Sequence, residues 1–232
     1  MGNSTIITLD EFRSKFAAIK LMGWIPSQRR SSTGVGYTLE TLLGIEENNI
    51  ALPDFGAVEL KSHRLNSTSM VTLFTFDRKV WKINPLQAVR QYGTRDANGR
   101  LGLYFTMSPT PTSTGLFLYL EPEGISVRHI SGEVIAEWSL EALAEQFVKK
   151  MPALVLVSAL SEMRGDIEYF HYTSARLLEG TSTGILREQI LAGNVLVDLR
   201  LHDRPTSARN RGTAFRAHKS KLPFLFRTST EL

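Results

Sequence analysis

The most apolar stretch of this chain is short and is interrupted near its start by a proline. Residues 151–160 read Met-Pro-Ala-Leu-Val-Leu-Val-Ser-Ala-Leu, about half of the 18 or so apolar residues that a membrane-spanning helix needs. A run of this kind predicts a buried strand. The chain must therefore fold around an internal sheet, and its 232 residues, 42% of them apolar, are enough to form a well-packed core.

Helix and strand patterns surround this buried strand. Thr8 and Glu11 form a capping box that predicts the start of the first helix. Its apolar stripe consists of Phe12, Phe16, Ile19 and Met22, and Gly23 ends it. Further helices are predicted at 37–43, 84–92, 139–150 and 183–192. Strands are predicted within 48–62 and at 70–76, 101–107, 116–121, 125–130, 133–138, 153–160, 167–172 and 195–201, before an irregular or hairpin-like tail. The order predicts a mixed α/β (α+β) fold, with a sheet flanked by helices.

The chain contains no cysteine, which excludes disulfides, zinc ribbons and thiol catalysis. Its five histidines show no metal-binding spacing. A metal site would therefore use carboxylates, backbone carbonyls and water, which suit a hard ion such as Mg²⁺. The N-terminus lacks a basic-then-apolar signal pattern, so we expect an intracellular, cytoplasmic protein.

Positive charge is concentrated near the C-terminus. Seven basic residues with no acid among them fall within 204–227: Arg204, Arg209, Arg211, Arg216, Lys219, Lys221 and Arg227. The other 20 of the 27 Lys and Arg residues face 23 Asp and Glu residues, so the remainder is close to neutral. A localised basic segment favours binding to nucleic acid. A solvated basic tail is the alternative, although interleaved phenylalanines and leucines indicate that the segment is anchored in a core.

Residues 54–61 carry the pattern that points to chemistry. Phosphodiester hydrolysis needs a metal ion held by carboxylates, and a nearby ammonium group that orients water or stabilises developing charge. Glu59 and Lys61 lie two residues apart, so on a strand they share a face, while Leu60 points into the core. Asp54 lies across a tight turn and can approach that face. On these residues alone, a surface strand with an exposed ion pair remains the alternative.

Several blocks of sequence resemble the MvaI/BcnI family of restriction endonucleases. They are GWIPSQRR at 23–30, TGVGYTLETLLGIEENN at 33–49, Pro-Asp at 53–54 with ELKS at 59–62, and RNRGTAFR at 209–216. They occur in matching order at both ends of the chain, whereas the middle, about 95–200, carries the resemblance only weakly. The first blocks are also similar to MutH, the nicking endonuclease of mismatch repair. Asp54 and Glu59 are closer together here than in MutH, which favours the restriction-enzyme branch.

The resemblance implies a PD-(D/E)xK restriction-endonuclease-like fold in a single domain, 1–232. A DNA cleft would separate a catalytic lobe, mainly 1–95, from a recognition lobe, mainly 96–232. Asp54 and Glu59 would bind Mg²⁺, Lys61 would be the catalytic lysine, and Glu40 would be a helix-borne acid that helps to hold the site. Without the resemblance, Glu40 would be a solvent-facing helix charge. The predicted DNA-binding residues are Arg29, Arg30, His63, Arg64, Arg78, Lys79, Arg209, Arg211, Thr213, Arg216, His218 and Lys219.

The function implied is that of a type II restriction endonuclease. Such an enzyme would cut double-stranded DNA at a short, C/G-rich, nearly palindromic site, leaving 5′-phosphate ends. It would act as a monomer by sequential nicking, alongside a companion methyltransferase. Two alternatives remain open: a MutH-like mismatch-repair nickase, and a non-catalytic DNA-binding module that keeps the fold.

Overall fold

The computed structural model describes residues 8–45, 58–77 and 79–232. The chain divides into two compact units. The first unit comprises 1–71, 149–181 and 222–232, and the second comprises 72–148 and 182–221. Each unit draws on residues from both sides of position 95, so neither coincides with one of the two lobes expected from the sequence. The separation into a catalytic lobe and a recognition lobe stays a prediction.

The described residues form α-helices, short and long strands, and one 3₁₀ helix. The helices are α1 (Leu9–Leu21), α2 (Gly34–Leu43), α3 (Pro85–Tyr92), α4 (Leu140–Lys150) and α5 (Thr183–Leu191), and the 3₁₀ helix is Lys219–Leu225. The strands are β1 (Ile25–Pro26), β2 (Val58–Arg64), β3 (Val71–Thr75), β4 (Thr94–Arg95), β5 (Leu101–Leu103), β6 (Thr106–Met107), β7 (Leu116–Leu120), β8 (Gly124–His129), β9 (Val134–Ser139), β10 (Ala153–Arg164), β11 (Ile167–Glu179), β12 (Val195–Asp198), β13 (Leu201–Asp203), β14 (Ala208–Asn210), β15 (Ala214–Ala217) and β16 (Thr228–Glu231).

The first unit is built on a mixed five-stranded sheet. Its order is β1-β11-β10-β2, and β16 pairs with the C-terminal end of β11. β10 runs antiparallel to β11 and parallel to β2, so the apolar run predicted as a buried strand lies inside the sheet. Val155 and Val157 are fully buried in it. This register fixes β2, the strand that carries Glu59 and Lys61, beside the most apolar part of the chain.

Helices α1 and α2 cover one face of this sheet. At the start of α1, the hydroxyl of Thr8 accepts a hydrogen bond from the Glu11 amide at 3.2 Å, and the Glu11 carboxylate accepts one from the Thr8 amide at 2.7 Å. Phe12 and Phe16 stack in the core with their ring centroids 5.5 Å apart. Burying a phenylalanine side chain of this kind contributes about 1.5 to 3 kcal/mol. Met22 was expected in the apolar stripe, but it follows the last helical residue and is exposed.

Gly34, the first residue of α2, allows the preceding basic loop to lie against the helix. A Cβ at this position would lie 2.6 Å from the carbonyl oxygen of Arg29 and 2.7 Å from the hydroxyl of Ser27. Only glycine permits so close an approach of the loop. α2 is capped at its C-terminus by Gly44, whose φ of 77° is left-handed.

The second unit contains three smaller sheets. Their orders are β3-β15-β12-β6, β14-β13-β5-β4 and β7-β8-β9. Phe215 on β15 is fully buried, stacks on Phe74 at 5.0 Å between ring centroids, and meets the edge of Trp138 at 5.7 Å. The C-terminal phenylalanine that separates basic residues in the sequence is therefore a core residue, which excludes a freely solvated tail at this point.

The predicted mixed α+β fold is confirmed, and the predicted helices agree with α1 to α5 to within three residues. Four predicted strands are wrong in extent: 101–107 breaks into β5 and β6, 195–201 ends at Asp198 before β13 begins, and 153–160 and 167–172 stop short of the ends of β10 and β11. The tail is more regular than expected and forms β14, β15 and β16. Within the described ranges, no helix is both long and apolar enough to cross a membrane.

Candidate active site and DNA-binding residues

β2 separates its side chains onto two faces of the first unit's sheet. Leu60 is buried in the core beneath α1 and α2. Since successive side chains on a strand point in opposite directions, Glu59 and Lys61 share the other face. In parallel register they lie beside Leu154 and Leu156 of β10. This is the arrangement that their spacing predicts.

Glu59 is a buried carboxylate balanced by two lysines. Its side chain is 1% exposed, and one of its oxygens, Oε1, accepts a short hydrogen bond from the ammonium group of Lys61. The ammonium group of Lys150 lies 2.9 Å from the other oxygen, Oε2. Both lysines are partly exposed. A buried carboxylate is costly without paired charge, so this pairing shows a charged site reached by solvent from the lysine side.

Lys150 is the residue of this site that the sequence analysis missed. It is the last residue of α4 and immediately precedes the segment that leads into β10. Lys149 and Lys150 look like ordinary basic residues at a helix C-terminus, where cations are favourable. The only sequence signal was their position just before the apolar strand that pairs with β2, and this signal cannot distinguish Lys150 from its exposed neighbour.

The donors present fit a hard metal ion in part. Glu59 supplies carboxylate oxygens, and the backbone carbonyls and water that accompany such a ligand are of the type that Mg²⁺ prefers. Asp54, the second predicted ligand, lies outside the described residues. Among those that are described, no three or more His, Asp or Glu side chains come together as a metal-binding group. The two-carboxylate site with Asp54 stays a prediction.

Glu40 lies on the helix side of β2. One of its carboxylate oxygens and the hydroxyl of Ser62 both border Gly36, at 3.7 and 3.6 Å from the position of a Cβ there. Burial raises the pKa of Tyr172, and the negative charge of Glu40 acts in the same direction. The structure thus brings Glu40 beside the residue that follows Lys61, although α2 packs on the face opposite to Glu59. Its supporting role stays a prediction.

Three of the predicted DNA-binding arginines line one groove in the first unit. This groove has a volume of about 760 Å³ and is bordered by Arg29, Arg30 and Arg64. The guanidinium of Arg29 lies 3.8 Å from the ring centroid of Tyr37. Arg64 donates to both oxygens of Glu168, at 2.6 and 2.7 Å. This bidentate pair holds Arg64 in place and gives it a structural role in the groove wall.

The remaining predicted contacts have mixed surroundings. His63 follows Lys61 by two residues on the same face, with Nε2 3.4 Å from the Ser158 hydroxyl. Residues whose side chains are exposed are Lys79, Arg209, Arg211 and His218, and Lys219 is partly exposed. Arg78 lies outside the described residues. Thr213 is fully buried, and its amide and hydroxyl both bond to Asn210. This placement counts against the predicted DNA contact by Thr213.

Arg216 is half-buried and pairs with a carboxylate that the sequence analysis did not single out. Its Nε lies 2.9 Å from Oδ2 of Asp198, which is fully buried. Burial lowers the pKa of the Arg216 guanidinium, and Asp198 opposes that effect.

His202 lies near the exposed arginines of the same unit. It is buried on β13, directly opposite Arg209 of β14. Burial lowers the pKa of His202, and four surrounding arginines lower it further: Arg211, Arg100, Arg204 and Arg209. Arg100 and Arg204 therefore extend the positive surface beyond the residues predicted from the motif.

A mixed sheet flanked by helices, with a buried glutamate and a lysine two residues apart on strand β2, is the arrangement expected of a nuclease of the restriction-endonuclease type. The family described as the MvaI/BcnI restriction endonuclease family matches residues 13–226. The chain belongs to this family, whose members are site-specific deoxyribonucleases. The resemblance seen in the sequence is confirmed.

Two solved structures of one relative were compared with the chain. The restriction endonuclease MvaI in complex with cognate DNA matches with a TM-score of 0.81 and 25% identity, over 100% of this chain and 99% of that one. MvaI in the absence of DNA matches with a TM-score of 0.53 and 25% identity, over 100% and 98% of the two chains. No protein in the curated collection of sequences matches.

Proposed function

We propose that this chain is a type II restriction endonuclease that hydrolyses both strands of duplex DNA with Mg²⁺ at a site formed by Asp54, Glu59 and Lys61. The observation that carries the proposal is the buried Glu59 between two lysines, in a chain of this family. A relative at 25% identity has been solved with its cognate DNA, which supports double-stranded DNA as the substrate.

Asp54 and Glu59 would hold the metal ion, with Glu40 in support. Bound there, Mg²⁺ would neutralise charge on the scissile phosphate and lower the pKa of a bound water. Lys61 orients the attacking water from the partly exposed side of the site. Lys150 fixes the second oxygen of Glu59 and so limits rotation of the carboxylate. In-line attack on phosphorus leaves a 5′-phosphate and a 3′-hydroxyl.

The finer features of the reaction follow from the resemblance and are proposed with it. The site cut would be short, rich in C and G and nearly palindromic. A monomer would cut one strand and then the other, and a methyltransferase would protect the host DNA. Arginines of the second unit would contact guanine edges and phosphates.

Incubating the purified protein with supercoiled plasmid and Mg²⁺ tests the proposal. Linear fragments with a common end sequence support it, whereas nicked circles alone indicate a mismatch-repair type of nickase. Unchanged plasmid indicates a DNA-binding module without catalysis. In the matched test, Lys61→Ala should abolish cutting yet retain specific binding, and normal cutting by this variant would refute the assignment of Lys61.

A further inference from the structure

The second unit contains a buried carboxylate that the proposed hydrolysis does not use. Asp198, the last residue of β12, is 0% exposed. Across the sheet it pairs with Thr106 of β6 on one side and Ala214 of β15 on the other. The Thr106 hydroxyl donates to Oδ1 at 2.8 Å. A buried carboxylate is costly unless its charge is compensated. The role of Asp198 therefore depends on the groups that pair with it.

Two arginines cover Asp198. Arg200 donates through Nε to Oδ2 at 2.6 Å and through Nη2 to Oδ1 at 3.1 Å. Arg216 places its Nε 2.9 Å from Oδ2. The arginine side chains are 37% and 25% exposed, respectively. Two cations around one carboxylate leave an excess positive charge on the solvent side of a buried anchor.

The bonds from Arg200 use one edge of its guanidinium group. Asp198 engages the edge formed by Nε and Nη2, and the second edge is formed by Nη1 and Nη2. A two-donor edge of this kind matches the O6 and N7 acceptors of guanine in the major groove. The Asp198 carboxylate fixes the plane of the Arg200 guanidinium group in advance. The Arg200 side chain therefore loses less conformational freedom when it binds a base.

The strand register places Arg216 on the same face of the sheet as Asp198. Leu196 and Asp198 lie two residues apart on β12 and share a face. Arg216 is directly opposite Leu196 on β15, so it shares that face as well. The amide of Arg211 donates to the carbonyl of Arg200 at 2.8 Å, which joins the exposed arginine of the closing motif to the same region. Several DNA-binding proteins contact bases from strands, in the major or the minor groove.

We propose that Asp198 is a positioning residue that holds Arg200 and Arg216 as rigid readers of guanine. Arg200, which no motif in the sequence indicated, is then a specificity-determining residue of the enzyme. This inference rests on the proposed function, because it concerns the choice of the DNA site that is cut. The competing interpretation is that Asp198, Arg200 and Arg216 form an ion cluster that stabilises the second unit and makes no contact with DNA bases.

Replacing arginine with lysine separates the two interpretations, because lysine keeps the charge and loses the fork. DNA of mixed sequence is digested with wild-type enzyme, Arg200→Lys and Arg216→Lys, and the ends of the fragments are sequenced. Each variant should lose preference for guanine at one position of the site, by about 10- to 100-fold. The salt dependence of binding should stay unchanged, because phosphate contacts depend on charge. Arg95→Lys, at an exposed arginine of the same unit that is assigned no contact with DNA, is the matched control and should keep the wild-type site.

Asp198→Asn should relax the site at both guanine positions, and its melting curve shows whether the fold survives. If this variant does not fold, the two lysine variants decide the question. A site and cutting rate unchanged in Arg200→Lys would overturn the inference while leaving the nuclease assignment intact. If the wild-type protein does not cut, the proposed function fails, and the same variants are compared on duplexes selected from a random pool by binding alone. An unchanged guanine preference there would also overturn the inference.

Discussion

Lys150 and Glu59 give the first prediction at the scale of single residues. Lys150→Met removes the cation 2.9 Å from a carboxylate that is almost fully buried. We expect the free energy of unfolding to fall by about 1 to 3 kcal/mol, because the loss of this ion pair leaves one oxygen of a buried carboxylate uncompensated. Cutting should slow at least about tenfold, because a mobile carboxylate positions its ligand poorly.

Urea denaturation and plasmid cleavage rates measure the two effects. Lys149→Met is the matched control, since Lys149 is the preceding residue of α4 and is exposed. If both variants match the wild type in cleavage rate, Lys150 does not position Glu59 for the reaction.

His202 gives a prediction about pH. Its native pKa lies below the ordinary value of 6.5, first because of burial and then because of four arginines. Below about pH 6.5 the unfolded chain binds a proton at this histidine that the native state does not bind, so stability falls as the pH decreases. Above that pH both states are neutral at His202, and its contribution is constant.

Urea denaturation at pH 7.5 and pH 5.5 measures this loss of stability. His202→Gln should reduce the difference between the two pH values, whereas His218→Gln, at an exposed position, should leave it unchanged. An equal loss of stability in wild type and His202→Gln would show that His202 titrates normally.

At single positions, the sequence predicted what depends on local alternation. Glu59, Leu60 and Lys61 lie on the expected faces because a strand reverses side-chain direction at each residue. Lys150 and Asp198 were missed because their roles come from partners set by pairing between distant segments. The surroundings of Thr213 were missed for the same reason: its position in the closing motif suggested DNA contact, which stays a prediction, whereas the structure shows it fully buried and bonded to Asn210.

At the scale of elements, glycine at the start of α2 controls how the basic loop packs. Gly34→Ala would place a methyl group 2.6 Å from a backbone oxygen of Arg29. The loop would have to shift, so we expect the melting temperature to fall, and any DNA contact made by Arg29 and Arg30 to weaken with it.

Gly184→Ala is the matched control for this prediction. Gly184 also lies near the start of a helix, α5, but a Cβ there would meet its nearest neighbour at 3.9 Å. The added methyl group should leave the protein as stable or raise its stability by up to about 1 kcal/mol. Thermal denaturation of both variants decides: a Gly34→Ala protein as stable as the wild type would show that the loop tolerates displacement.

The elements themselves were predictable where local rules suffice. Capping at Thr8 and Asn84 located the starts of α1 and α3. Both strands of the β10–β11 hairpin were predicted too short. β11 continues past the predicted end at residue 172 to Glu179, where it pairs with β10 and β16. In β10, the residues near the turn are polar. The apolar pattern therefore ended at about residue 160, whereas the strand continues to Arg164.

At the scale of the whole molecule, the net charge of +4 conceals a strongly basic C-terminal segment. Arg209 and Arg211 are exposed within it. If the two arginines neutralise two phosphates, the double variant Arg209→Gln/Arg211→Gln should bind DNA with a log-log salt slope shallower by about 1.8. Binding is measured in Mg²⁺ on the Lys61→Ala background, so that no DNA is cut.

A control variant with the same loss of charge shows whether the salt slope of DNA binding depends on local phosphate contacts or on the net charge of the protein. Arg13 and Lys20 are exposed on α1 of the first unit, and Arg13→Gln/Lys20→Gln removes two positive charges there. Its salt slope should equal that of the parent, because counterion release counts only the phosphates that are contacted. Equal changes in the two double variants would mean that overall charge drives binding. A flat salt response in the parent would show that neither the basic segment nor any other part of the chain neutralises DNA phosphates.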